Sequence, residues 1–367
     1  MSRHHSFKSI IIRVIIVLIA TIASYPSRAL PSFARKYGVG CNTCHSIAPK
    51  LNTFGLAFQA NHYNWPGRDE PHSQNKLRNI PISGILTASR EQSFTDLETT
   101  TDVRNLELFS SDGFRIGARQ GGWFVNGLAW SNSSDEPAGT LENAFVTIPF
   151  AGRRDTLAAT IGQFNPMHYQ WSGTTSLLEA TPGAFTDSVD GFSFAEAMPG
   201  VRLEWSRHSN SATADGAYAS VGMPLMDHIN LNHDSRVGDT SGVFAHGFVR
   251  RGYQTLGLFG YTRSGRYNTG VLATQALRDH IFLLGSASMG RDDDGGVRRL
   301  SAEVEAVPSA RFAVTGRIEI VTGAVNDLAP VAGITWYPVD QRIFRFTAEM
   351  SQRKGDRTLA IFARGQF

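Results

Sequence analysis

From Ile80 to the last residue, Phe367, the hydrophobic pattern repeats every two residues. No other feature constrains the fold as much, because side chains alternate between two faces only in extended strands. Leu300, Ala302, Val304 and Ala306 point one way, while Ser301, Glu303 and Glu305 point the other. Phe312, Val314, Ile318 and Ile320 alternate with Arg311, Thr315, Arg317 and Glu319, and Phe344, Phe346, Ala348 and Met350 with Arg345, Thr347 and Glu349. Val243 to Arg250, Tyr253 to Tyr261 and Ile281 to Ser288 are further strand-like runs. Turn-rich clusters such as Asp292-Asp293-Asp294-Gly295-Gly296 and Arg263-Ser264-Gly265 bound them. About 16 such runs can be marked with no helix among them. A soluble sandwich alternates in the same way, so the count decides. Membrane-crossing strands take about 10 residues each plus turns, and residues 80–367 suit about 14–16 of them. The expected fold is therefore mainly β, a transmembrane antiparallel barrel.

The composition agrees without deciding. A hydrophobic fraction of 41% and a mean hydropathy of -0.18 look like an ordinary soluble protein, but a barrel hides its apolar residues by alternation. The net charge of +3, with Lys and Arg scattered along the chain, excludes an electrostatic nucleic-acid binder. Leu359, Ile361, Ala363, Gly365 and Phe367 alternate, and a last strand ending on Phe resembles the closing strand of bacterial outer-membrane proteins.

The N-terminus reads as an export signal. Arg3, Lys8 and Arg13 precede an apolar stretch, Val14 to Ala23, and Ser27-Arg28-Ala29 ends on the small residue expected before cleavage. The run Ile10 to Ile22, interrupted by Arg13, leaves about a dozen apolar residues where a membrane helix needs roughly 20. The expected order is a signal peptide over 1–29, a small head over 30–63, a polar linker over 64–79 and the barrel over 80–367. The head reads as helical from Phe33 to Tyr63. Pro49 can open a helix, and Leu51, Gly55, Phe58 and His62 fall on one helical face.

The two cysteines of the chain, Cys41 and Cys44, fall in the run Cys41-Asn42-Thr43-Cys44-His45. Two thiols three positions apart can form thioether bonds to the two vinyl groups of one haem, with the following His as axial ligand. A redox dithiol or half a zinc site would use a Cys pair alone. The adjacent His45 and the export signal argue against both. One covalent c-type haem is therefore expected on Cys41, Cys44 and His45, with Leu51, Phe54 and Phe58 packed on it. The sixth ligand is open. No Met lies between His45 and Met167. His62 is the nearest candidate, followed by His72, by Met167 and His168 of the barrel, or by none.

Leu30-Pro31-Ser32-Phe33-Ala34-Arg35-Lys36-Tyr37-Gly38, then Cys41 to His45, then Pro49, Leu51, Gly55, Phe58 and Tyr63 resemble the N-terminus of the fused monohaem cytochrome–porins. The best-known members are the outer-membrane iron oxidases of iron-oxidising bacteria. Leu106 to Phe109, Gly113 to Gly117 and Gly122 to Val125 extend the resemblance. It is good over about residues 30–63, weaker to about 180 and architectural beyond. It implies a cytochrome head lodged in the lumen of a barrel of about 16 strands, wide enough otherwise to leave a channel. Where that family tends to have Gly this chain has His62, and its barrel is shorter than in the iron oxidases.

The expected function is single-electron transfer across the outer membrane of a Gram-negative bacterium. The donor would be extracellular, with Fe(II) the leading candidate, and the acceptor a periplasmic soluble cytochrome or copper protein; outer-membrane lipid would surround the barrel. Acidic loops at Asp292-Asp293-Asp294 and Ser134-Asp135-Glu136 could attract Fe(II). The alternative is an open transport porin whose haem-containing head is a regulator or sensor. A third reading is a soluble periplasmic cytochrome with a strand-rich receptor domain.

Overall fold

The alternating runs form one closed antiparallel barrel of sixteen strands. The structure, a computed structural model, describes residues 32–66 and 81–366 apart from 95–99, 118, 133–137, 152–154, 172–174, 190, 209–214, 226–241, 279, 293–294, 325, 339–343 and 354–355. The proposed signal peptide and its cleavage site, most of the linker with His72, the terminal Phe367, Ser134-Asp135-Glu136 and Asp293-Asp294 lie outside the described residues.

The head is less helical than its spacing predicts. Helix α1 covers Ser32–Tyr37, and a single 3-10 turn covers Cys41–Thr43. Strands β1 (His45–Ile47) and β2 (Lys50–Leu51) form a hairpin, and helix α2 covers Thr53–Ala60. Pro49 sits in the hairpin turn rather than at a helix start. Asn52 opens α2, its side chain accepting from the Gly55 N–H at 2.9 Å. That cap satisfies one of the amides a helix start leaves unpaired and fixes the start at Thr53, four residues after Pro49. The common helical face expected for Leu51, Gly55, Phe58 and His62 does not exist, because Leu51 lies in β2 and His62 follows the end of α2.

The barrel follows in strict chain order: β3 (Ile82–Ser93), β4 (Thr100–Ile116), β5 (Arg119–Ser131), β6 (Leu141–Ala151), β7 (Asp155–Phe164), β8 (Met198–His208), β9 (Gly216–Pro224), β10 (Val243–Arg251), β11 (Gln254–Arg263), β12 (Arg266–Arg278), β13 (Ile281–Asp292), β14 (Gly295–Ser309), β15 (Phe312–Gly323), β16 (Asp327–Trp336), β17 (Phe344–Arg353) and β18 (Asp356–Gln366). Strand β18 closes onto β3, with Thr358 opposite Ser93 and Gln366 opposite Ile85. Ser264 and Gly265 both take positive φ, 48° and 83°, the backbone of the two-residue turn that joins twisted strands most easily.

The faces are sorted in the opposite sense to a water-soluble protein. Ser301, Glu303, Glu305, Thr315, Arg317, Glu319, Thr347 and Glu349 are buried, whereas Leu300, Val304, Val314, Ile318, Ile320 and Met350 are exposed. Polar side chains face the lumen, and an apolar belt faces out. This matches hydrocarbon outside the barrel and excludes a soluble sandwich, which would bury the apolar set.

Both ends of the strand series, Ile82 and Gln366, lie at one end of the barrel, here called the terminus end. The opposite, loop end carries the long connection 165–197 between β7 and β8, which includes the four-residue helix α3 (Gly183–Thr186). This connection folds into the lumen. Met167, Phe185 and Phe194 on it are fully buried, and with Ile47 of the head and Phe164, Phe244 and Phe259 of the wall they form the main apolar core. The lumen is therefore filled from both ends: by the head from the terminus end and by residues 165–197 from the loop end.

Candidate functional site

The Cys41–His45 segment is held rigidly by its own neighbours. Cys44 N–H donates to the Cys41 carbonyl at 3.1 Å, closing the turn. The Asn52 N–H donates to the Cys44 carbonyl at 2.8 Å, and the Asn52 amide donates to the carbonyls of Asn42 and Thr43, each at 3.0 Å. One side chain thus caps α2 and staples the turn, a role that a lone Asn ahead of Thr53 did not signal in the sequence. Gly55 lets α2 approach at contact distance: a Cβ there would lie 2.1 Å from the Cys44 carbonyl oxygen.

Neither Cys41 nor Cys44 is in a disulfide. Burial, and secondarily Cys41, pushes the Cys44 thiol up to about 12, so it stays protonated. The His45 Nδ1 lies 2.9 Å from the Pro49 carbonyl oxygen. A carbonyl only accepts, so Nδ1 carries the proton and Nε2 keeps its lone pair for a metal, the usual orientation of a ligating His. Burial holds His45 below its ordinary range and therefore neutral. Two thiols and one oriented, neutral imidazole are a donor set that fits a covalently attached haem.

Of the three residues expected to pack on that haem, Leu51 lines a small cavity together with Leu56, Phe282 and Leu283. Phe58 packs edge-on against Phe33 at 4.7 Å, and Phe54 against Trp65 at 4.8 Å. These two belong to the head's own aromatic core with Tyr37 and Tyr63.

Two of the candidate sixth ligands come together. His62 Nδ1 lies 2.8 Å from the Tyr169 hydroxyl, and His168 Nε2 lies 2.5 Å from the Tyr63 hydroxyl. Burial lowers the pKa of both imidazoles, that of His168 to about 3 with Arg202 adding to the effect. The two crossed pairs stitch the head to the lumenal connection. Residue 62 has φ of 52°, the left-handed region that Gly occupies without strain and other residues rarely take. His62 takes this turn while its ring reaches the Tyr169 hydroxyl. Met167 is buried in the main core, to which Ile47 of the hairpin also belongs.

The barrel wall also grips the hairpin. The Lys50 ammonium pairs with Glu305 of β14 and donates to the Thr175 carbonyl at 2.8 Å, and the Tyr337 hydroxyl donates to the Ala48 carbonyl. Four wall carboxylates receive the lumenal connection in turn. Glu303 accepts from Ser176, Glu305 from the Leu177 N–H at 2.5 Å, Glu349 from the Glu179 N–H and Glu319 from the Gly183 N–H. Among the described residues no group of three or more His, Cys, Asp or Glu side chains converges as a metal-ion site.

The barrel is similar to solved porins. A structure of Salmonella typhi OmpF in complex with daunomycin matches with a TM-score of 0.59 and 11% identity, over 78% of this chain and 97% of that one. A triple mutant of the Rhodopseudomonas blastica porin matches with a TM-score of 0.54 and 10% identity, over 78% and 99%. At such identities the likeness speaks for the fold, a porin-like sixteen-stranded barrel. No protein-family model matches the chain, and no curated protein does.

Proposed function

We propose that this protein is a porin-type barrel of a bacterial outer membrane whose lumen is closed by a haem-carrying plug, and that it passes single electrons from an external donor, with Fe(II) the leading candidate, to a periplasmic acceptor. The observation that carries this reading is the lodging of Cys41, Cys44 and an oriented His45 inside a packed lumen, behind an apolar outer belt. A haem bound there would supply a one-electron carrier. This chain's own residues contribute the rest: Pro49 orients His45, Asn52 and Gly55 fix the thiol-bearing turn, and Lys50, Glu305 and Tyr337 anchor that turn to the wall. Acidic residues near the mouth of the loop end, Asp292 among them, would concentrate a cation there.

A second reading, a transport porin with a regulatory or sensor head, has the porin likeness on its side, and the fold comparisons favour it over electron transfer. Three measurements on purified protein separate them. The conduit should carry haem that survives denaturing electrophoresis, should develop its reduced α-band on mixing with Fe(II), and should be nearly silent in planar bilayers. A large steady conductance, together with haem that dithionite reduces and Fe(II) does not, supports the transport porin and sinks the conduit.

A further inference from the structure

Most buried lumenal arginines have a carboxylate partner. Arg202 pairs with Glu204, Arg299 with Asp187 and Glu319, Arg317 with Glu303, and Arg345 with Glu179. Arg250, near the terminus end of β10, is different. It is only 6% exposed, its Nε donates to the Thr255 hydroxyl at 3.2 Å and its Nη2 to the Tyr169 carbonyl at 2.9 Å. Both acceptors are neutral, and no described carboxylate pairs with it. A buried cation without a counter-charge is costly, so such a group points to an anion that completes it.

A second donor beside it is also incomplete. Gln170 is 4% exposed. Its Oε1 is taken by His246 Nε2 at 2.6 Å, while its Nε2 is buried without a partner. Arg250 and Gln170 line the same small cavity as Leu51 and Leu56 of the head. Leu51 is the strand partner of His45, and both it and the Cys44 carbonyl lie against Gly55. The cavity is thus bordered by the haem-motif hairpin, by a guanidinium whose acceptors are neutral and by an amide nitrogen without a partner. Lys50 also borders the cavity but is engaged by Glu305 and Thr175.

We infer that Arg250 and Gln170 bind a carboxylate in this cavity, and that the carboxylate belongs to the haem attached at Cys41 and Cys44. The inference rests on the haem reading above. An Arg presents a planar fork that suits a carboxylate, and a neutral amide adds a further donor without further charge. The apolar walls of Leu51, Leu56, Phe282 and Leu283 suit the rest of an amphipathic ligand. The other source of the same chemistry is a free carboxylate from solution.

The test uses the full haem-loaded chain with Arg250→Gln and Arg250→Lys, read by midpoint potential and by the temperature at which the folded gel band converts to the unfolded one. Arg250→Gln should keep its covalent haem on denaturing gels, shift the midpoint downward because a positive charge near the ferric centre is lost, and melt lower. Arg250→Lys should lie close to wild type in potential. In the haem-free chain with Cys41→Ala and Cys44→Ala, Arg250→Gln should melt no lower than its parent, because the cation it removes then has no counter-charge to lose. Unchanged potential and unchanged melting of haem-loaded Arg250→Gln overturn the inference, as does equal destabilisation with and without haem. Added acetate should stabilise only the haem-free chain; stabilisation of the haem-loaded wild type means a vacant site and overturns it too. A wild-type chain without stainable haem overturns instead the haem reading beneath it.

Discussion

Replacing Glu305 with Gln tests whether the barrel wall holds the head in the lumen. The Glu305 side chain is fully buried and that of Lys50 is 8% exposed, so their ion pair is shielded from water. Gln keeps the shape and an oxygen for the Leu177 N–H, but it leaves the Lys50 ammonium without its counter-charge. Stranding one member of a buried pair typically costs about 3–5 kcal/mol. Part of this is offset here, because Lys50 still donates to the Thr175 carbonyl at 2.8 Å and lies 4.6 Å from the centre of the Phe282 ring, a contact that can contribute roughly 1–2 kcal/mol when desolvated. The net weakening of head docking is then about 2–3 kcal/mol, or about 30- to 150-fold in the docked-to-undocked ratio, since each 1.4 kcal/mol is tenfold. Limited proteolysis of folded, detergent-solubilised protein reads that ratio, because cleavage of residues 32–66 follows the open population when closing is fast. Adding Lys50→Met should restore most of the protection, as replacing both partners of a buried pair is often close to neutral. Cleavage of Glu305→Gln within twofold of wild type would refute the reasoning, as would a double variant no better protected than the single one.

Gly55→Ala should lose stability despite the better helix propensity of Ala, because its Cβ meets the Cys44 carbonyl; overpacking of this kind costs about 1–3 kcal/mol, and the yield of haem-stained chain should fall with it. Asn52→Asp should keep the cap on Gly55 and lose the two donations to Asn42 and Thr43, whereas Asn52→Ala loses all three; melting of the full chain should order wild type above Asp above Ala, with the cap alone contributing about 1 kcal/mol. Val304→Arg on the exposed face should cost about 2–4 kcal/mol in bilayer folding titrations if that face meets lipid at mid-depth, and a folding yield equal to wild type would place that face elsewhere.

Strand identity was legible because a period of two survives any reading frame, and it holds through segments such as Leu300–Ala306 with no tertiary information. Which face pointed inward was not legible locally, since Ser301 and Glu303 would alternate just as well on a solvated surface. Their lumenal position follows from closure between β18 and β3, a pairing of the two ends of the series. The connection at 165–197 escaped notice for a related reason. It has no period, and its polar groups are satisfied by Glu303, Glu305, Glu319 and Glu349, all more than 100 residues away in the chain. In the head, the helical spacing of Leu51, Gly55 and Phe58 misled, because Pro49 and the Asn52 cap decide where the helix begins. The proximity of His62 to His168 depends on a left-handed turn at 62 and 63, which nothing in their residue types announces.

A sixteen-stranded barrel with an empty lumen leaves an aqueous channel, and here two separate pieces of chain fill it. They meet along one seam: Lys50 with Thr175, Ile47 with the core around Met167, His62 with Tyr169, and Tyr63 with His168. Beyond that seam the lumenal connection is lined with rings in contact, Trp171 to Phe185 at 4.9 Å, Phe185 to Phe259 at 5.3 Å, Phe259 to Phe194 at 4.8 Å and Phe194 to Phe192 at 4.9 Å. Passing a solute would require the seam to part, exposing buried imidazoles and phenols whose partners are each other. Passing an electron requires none of these contacts to break. The two functional readings therefore differ in what they ask of the same interface: the conduit works with the seam closed, while the transport porin needs a signal strong enough to open it.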